Sequence, residues 1–182
     1  RWKALHYYAR EAFAPVAALP IMEDNVLKVY GVNDQAESLN LTLHMHAYTF
    51  GGEKVYDFNL PGLTVTPDSS KLLWQGPSKT IFNGKKPENC VVEIVLTDSS
   101  EAKVYSRRLF YAVPPKKMSL PSPGLKITAV EKTEGGYFIS IQTNGNLAKN
   151  VYIQTEESGF FSNNYFDMLP AERVKVFQDR QR

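Results

Sequence analysis

Two periodicities divide the chain. Over residues 1–13 the apolar positions Trp2, Leu5, Ala9, Ala12 and Phe13 recur at helical spacing, with Lys3, Arg10 and Glu11 between them. This predicts an amphipathic helix of about three turns. Pro15 ends it, because the residue before a proline is pushed out of the helical region and proline has no N–H to continue the ladder. No Ser, Thr, Asp or Asn cap precedes the pattern, so the helix reads as the tail of an element that begins earlier. A self-contained helix docked on its own domain is the alternative.

Beyond Pro15 the period is two. Leu27, Val29 and Gly31 alternate with Lys28 and Tyr30, and Asn33-Asp34 supply a turn. The clearest strand follows, with Leu39, Leu41, Leu43, Met45 and Ala47 on one face and Asn40, Thr42, His44, His46 and Tyr48 on the other. Gly51-Gly52 turns it into the alternating run Lys54 to Leu60, which Pro61-Gly62 is expected to end. Leu63 to Val65, Lys71 to Trp74 and Lys79 to Phe82 are short candidate strands. The apolar run from Cys90 to Thr97 fits a strand buried on both sides or central in a sandwich, and Val104 to Ala112 alternates again.

Residues 113–124, V-P-P-K-K-M-S-L-P-S-P-G, form a proline-stiffened linker. A second strand set follows: Leu125 to Glu131, Tyr137 to Gln142, Lys149 to Gln154 and Val174 to Phe177, with an irregular aromatic stretch, Ser158 to Pro170, between the last two. The predicted fold class is all-β: a short helix (1–14), an immunoglobulin-like β-sandwich (15–117) and a second, smaller one (118–182). No Cys-Trp-Cys signature is present, so this is sandwich architecture and not an antibody-type domain.

The opening W-K-A-L-H-Y-Y-A-R-E-A-F-A-P resembles the last barrel helix of β-mannosidases, within the glycoside hydrolase family (family 2) that also holds β-galactosidases. L-K-V-Y-G-V-N-D (27–34), C-V-V-E-I-V-L (90–96) and G-F-F-S-N-N-Y-F-D-M-L-P (159–170) continue the resemblance in order along nearly the whole chain. Those enzymes carry a (β/α)8 catalytic barrel followed by β-sandwich domains. The resemblance therefore implies non-catalytic accessory domains whose partner is the catalytic barrel of the same polypeptide. It also implies a retaining glycosidase as the parent, a mannose-containing glycan as a candidate ligand, and no cofactor. A secreted, periplasmic or lysosomal parent would fit. The family's catalytic glutamates lie at barrel strand ends, so no catalytic residue is carried over. Its terminal sandwich normally closes with one more strand than this chain shows, which leads us to expect an incomplete second sandwich with an exposed edge.

Composition narrows the function classes. With 43% hydrophobic and 12% aromatic residues among 182, packed cores are affordable. A net charge of +2, without any long basic run, gives no reason to expect nucleic acid or a membrane surface. No stretch approaches the ~20 apolar residues of a membrane helix. The single Cys90 excludes an internal disulfide and sits where a small buried hydrophobe belongs.

Candidate chemistry is sparse. His44 and His46 project from one strand face, a spacing metal sites use, but without a third ligand nearby they read as polar-face residues, and no metal site is assigned. Asn40-Leu41-Thr42 is a mid-strand sequon with no assigned role. Asp34, Asp57, Glu93 and Asp167 are the carboxylates to weigh, but nothing in the pattern pairs any two as glycoside hydrolysis requires. Sugar contact by a sandwich would use exposed rings with amides beside them. Trp74, Phe160, Phe161, Asn163, Asn164 and Tyr165 have that chemistry, and core packing is the rival use of the rings. Three functions follow: accessory domains of a β-mannosidase, an independent carbohydrate-binding module, and a cell-surface adhesion-type sandwich. Only the first explains the opening helix.

Overall fold

The computed structural model describes residues 3–156 and 159–180. Trp2, predicted on the apolar helix face, lies outside them. The chain forms two compact units: one of Ala14–Thr49 and Glu53–Ser119, the other of the stretch through Phe13, Phe50–Gly52 and the chain from Leu120 on. Strands dominate both, and no described sheet joins strands from the two halves.

In the first unit, β1 (Val16–Glu23), β2 (Val26–Asn33) and β5 (Ser69–Pro77) form a three-stranded antiparallel sheet in the order β1-β2-β5. Asp24 and Asn25, both at positive φ, close β1 onto β2 as a two-residue hairpin. The alternation from Leu27 holds, with Leu27 and Val29 fully buried. Strand β1 went unseen in the sequence because Val16, Ala17 and Ala18 are all buried and Pro20 follows. It is an edge strand, where proline costs no ladder bond.

A four-stranded sheet faces this one in the order β4-β3-β6-β7, formed by β3 (Leu39–Thr49), β4 (Lys54–Val65), β6 (Cys90–Asp98) and β7 (Val104–Phe110). The β3 face expected to be buried is so, with Leu41, Leu43, Met45 and Ala47 at zero exposure. The Cys90 run is interior to the sheet, between β3 and β7. Two expectations fail. Pro61-Gly62 does not end a strand: the register passes from Leu41↔Leu63 to Leu43↔Leu60, so three β4 residues oppose two of β3 and the pair forms a bulge, with Gly62 at φ 74°. Residues 79–82 are not a strand but lie in a helical turn, α2 (Ser78–Phe82), ended by Asn83 at φ 46°. Ile81 and Phe82 are both buried, which neighbouring strand residues on opposite faces would not achieve in a half-buried sheet.

The second unit opens with α1 (Ala4–Ala12). Its strands β8 (Lys126–Lys132), β9 (Gly136–Gln142), β11 (Gly159–Phe161) and β13 (Arg173–Arg180) form a sheet in the order β11-β13-β9-β8, and β10 (Ala148–Val151) pairs with β12 (Phe166–Met168). Ile139, Ile141, Val151, Ile153, Met168 and Val176 fill the core. The strand expected from Lys149 to Gln154 stops at Val151, and β13 runs three residues beyond the expected Phe177. Two strands do not cover four. Ile127 pairs with Ile141 and Val130 with Ile139, so both share the core-facing side, yet they are 65% and 60% exposed.

Candidate functional site

Helix α1 is seated on the stretch 150–165 of its own unit by polar aromatic contacts. The Tyr7 hydroxyl donates to the Phe161 carbonyl at 3.1 Å, and its ring lies 6.1 Å from that of Tyr165. The Tyr8 hydroxyl lies 3.0 Å from the Tyr165 carbonyl and 3.1 Å from Oδ1 of Asn150. Arg10 donates to the Ser162 carbonyl at 2.8 Å and approaches Oδ1 of Asn163 at 3.5 Å. Burial pushes the Tyr7 phenol above its ordinary value, with Arg10 opposing, and burial together with Asp167 does the same for Tyr8. Both phenols therefore stay protonated as donors at neutral pH.

The seat is built from unusual backbone. Asn150 and Tyr165, the two residues that Tyr8 reaches, both have positive φ, 55° and 58°, a region that costs non-glycine residues energy. Asn164 holds the loop in place: its Oδ1 accepts from the Ile153 and Tyr165 amides at 2.8 and 2.9 Å, and its Nδ2 donates to the Ile153 carbonyl at 2.8 Å. Asp167 accepts from Lys149 Nζ and from the Asn150 amide.

The helix turns its expected face outward. Leu5 is 72% and Phe13 86% exposed, whereas Tyr7, roughly opposite Leu5 around the helix, is buried. Leu5 and Phe13, the large described residues of the predicted apolar face, are thus uncovered within this chain by itself. The hydrogen-bonding groups of Tyr7, Tyr8 and Arg10 meet main-chain carbonyls that an aliphatic face could not satisfy.

The sequence candidates divide accordingly. Asn164 is buried as a loop clamp, and Phe161 packs against the second core. Phe160 is half-buried on β11, and Asn163 and Tyr165 belong to the helix seat. Tyr165 also stacks on Tyr152, with centroids 4.9 Å apart. Trp74 lies in the other unit, packed against the first core with its ring 5.8 Å from that of Phe58. The structure thus brings the loop residues together, and Trp74 belongs to the core of the first unit. Tyr7, Tyr8, Arg10 and Asn150 were missed as contact residues, and the adjacent Tyr7-Tyr8 pair on the polar side of the helix was the available signal.

A second cluster lies on the outer face of the four-stranded sheet. His46 stands between Asp57, 3.2 Å from Nε2, and Glu93, 3.4 Å from Nδ1, and Glu93 also accepts from Arg107 Nε at 2.6 Å. Lys54 pairs with Asp57 and holds its carboxyl below the usual carboxylate range. The strands bearing the two carboxylates flank β3 and so stand about 9–10 Å apart. The imidazole fills the space where a sugar and a water would have to stand. His44 approaches Thr97 and Glu101 instead, so the two histidines face different partners.

Residues 25–117 match the Mannosidase Ig/CBM-like domain, and residues 120–180 match an Ig-fold domain. Beta-mannosidase of Capra hircus is 25% identical over 97% of this chain, and Beta-mannosidase A of Emericella nidulans 23% over the same share. The chain spans about a fifth of the length of these relatives. Among solved structures, Beta-D-Mannosidase from Dictyoglomus thermophilum superposes with a TM-score of 0.76 at 17% identity, covering 98% of this chain and 21% of that one. The Amycolatopsis orientalis exo-chitosanase superposes at 0.59 and 17%, covering 95% and 24%. At such identities these likenesses show the fold alone.

Proposed function

We propose, from the premise that this chain belongs to the Mannosidase Ig/CBM-like domain family, that it is the non-catalytic accessory part of a β-mannosidase acting on terminal β-mannosides. In this reading residues 1–14 end the last helix of the catalytic barrel, residues 15–117 and 118–182 are two immunoglobulin-like sandwiches, and together they support the barrel. The two-faced helix carries the reading. Tyr7, Tyr8 and Arg10 tie α1 to the second unit, while Leu5 and Phe13 are left bare as a barrel helix needs. Exposed Ile127 and Val130 are also what a sandwich completed by further chain would leave behind.

The chain alone should then hydrolyse no mannoside. Turnover of a chromogenic β-mannoside by the pure chain, abolished by changing Asp57 or Glu93, would overturn the reading.

A second reading, an independent carbohydrate-binding module, is favoured by the Tyr152–Tyr165 stack beside Asn163, since Tyr152 is 42% exposed. Sugar-induced shifts at residues 152–165, lost in Tyr152→Ala, would be its signature.

A further inference from the structure

The three-stranded sheet of the first unit has a second face that the core does not use. Its register sets three rows across the strands: Leu19–Tyr30–Leu72, then Ile21–Lys28–Gln75, then Glu23–Val26–Pro77. The opposite side of the same strands supplies core residues Val16, Ala18, Leu27, Val29 and Leu73. Leu19 and Ile21 are each 43% exposed and Leu72 40%, which is unusual for large aliphatic side chains sharing one sheet face.

A groove of about 440 Å³ opens in this face. Glu23, Asp24, Lys28 and Gln75 provide its polar lining, and Val26 and Pro77 provide its apolar part. Lys28 Nζ lies 2.6 Å from Glu23 Oε2, and that contact raises the lysine's pKa, so the ammonium is charged at neutral pH.

The mixture of groups selects the ligand class. Two carboxylates against one ammonium repel an anion. The ammonium paired with Glu23 opposes a metal ion, and no metal-holding group of His, Cys, Asp or Glu occurs among the described residues. An apolar peptide face would strip water from the Lys28–Glu23 pair without replacing its hydrogen bonds. A neutral polyhydroxy ligand meets every condition, because its hydroxyls donate to the carboxylates, accept from Lys28 and do both with Gln75. Its ring C–H faces suit Tyr30 and the aliphatic rows. Successive rows lie two residues apart along the strand, about 6.6–6.8 Å.

We propose that the outer face of the β1-β2-β5 sheet is a carbohydrate-binding surface for a neutral hexose chain. One ring lies over Tyr30 between Leu19 and Leu72, and the next sits in the groove, hydrogen-bonded by Glu23, Lys28 and Gln75. This site differs from the Tyr152–Tyr165 loop, and it stands whether or not the chain serves a catalytic barrel.

Titrating the 182-residue chain with linear β-1,4-linked mannotetraose, and with cellotetraose as a second neutral probe, while following amide chemical shifts, tests the site. We expect shifts confined to residues 19–30 and 70–77 at millimolar sugar with at least one of the two. Tyr30→Ala should weaken binding about tenfold, equivalent to roughly 1.4 kcal/mol, and Tyr30→Phe should retain it. Lys28→Ala and Gln75→Ala, which remove no core group, should each weaken it as well. Tetragalacturonate should give no shift. No response to either neutral sugar, shifts located at 152–165 instead, equal binding of the anionic tetramer, or unchanged affinity in Lys28→Ala and Gln75→Ala would each overturn the proposal.

Discussion

The hydroxyl of Tyr7 donates to the main-chain carbonyl of Phe161, 3.1 Å away and 154 residues later in the chain. Nothing local in the sequence joins these positions. A nine-residue helix is marginal alone in water, and this bond, with those of Tyr8 and Arg10, holds α1 to its unit.

Tyr7→Phe removes one partner of that bond and should cost about 0.5–1.5 kcal/mol. Tyr7→Ala also empties a buried aromatic site and should cost about 3–5 kcal/mol. Urea unfolding of the two variants measures both, and an unchanged stability in Tyr7→Phe would show that the hydroxyl contributes nothing.

Leu5→Ser and Phe13→Ser should leave the stability of this chain within about 0.5 kcal/mol, because both side chains are exposed. The same changes in a full-length parent should lower its melting temperature clearly, since burial of each is worth about 1.5–3 kcal/mol. An unaffected parent would remove the barrel-helix assignment.

Asn164→Ala should destabilise the second unit by about 2–3 kcal/mol, because it leaves the buried Ile153 amide and carbonyl without their partner. Asn164→Asp keeps the acceptor but loses the Nδ2 donor and buries a charge, so it should be no better. Hydrogen exchange at Ile153 and Tyr165 reports the change directly.

Burial raises the Cys90 thiol from 9.0 to about 11. The folded state therefore keeps its proton where the unfolded chain has lost it. Stability from this group is intact below pH 9 and falls as the pH rises toward 11, by about 2–3 kcal/mol in all. Cys90→Ala should flatten that part of the stability curve, and an unchanged slope would assign it to other groups. The native thiol should also react slowly with thiol reagents.

The strands whose one face is buried were legible from alternation alone. Leu39 to Ala47 and Leu27 to Gly31 read correctly because a period of two is what a half-buried strand imposes on its own residues. The rows on the outer sheet face were not visible, since they depend on which residue of β2 opposes which of β1 and β5. Pro61-Gly62 misled because the same dipeptide ends a strand or bulges it, and only the pairing with Leu41 and Leu43 selects the bulge. Residues 79–82 carry no decisive period, and a helical turn is what lets both Ile81 and Phe82 enter the first core.

The sequence by itself determined an all-β chain with an opening helix, and the order of motifs that places it among β-mannosidase sandwiches. Only the tertiary structure decided what the helix touches. Its aliphatic stripe marked Leu5 and Phe13 as one apolar face, but the neighbours brought close by the fold on the other side were the carbonyls of Phe161, Ser162 and Tyr165, which call for donors. Periodicity records which side chains avoid water, whereas the partner of a polar group is set by chain folded from far away, which a local pattern does not encode.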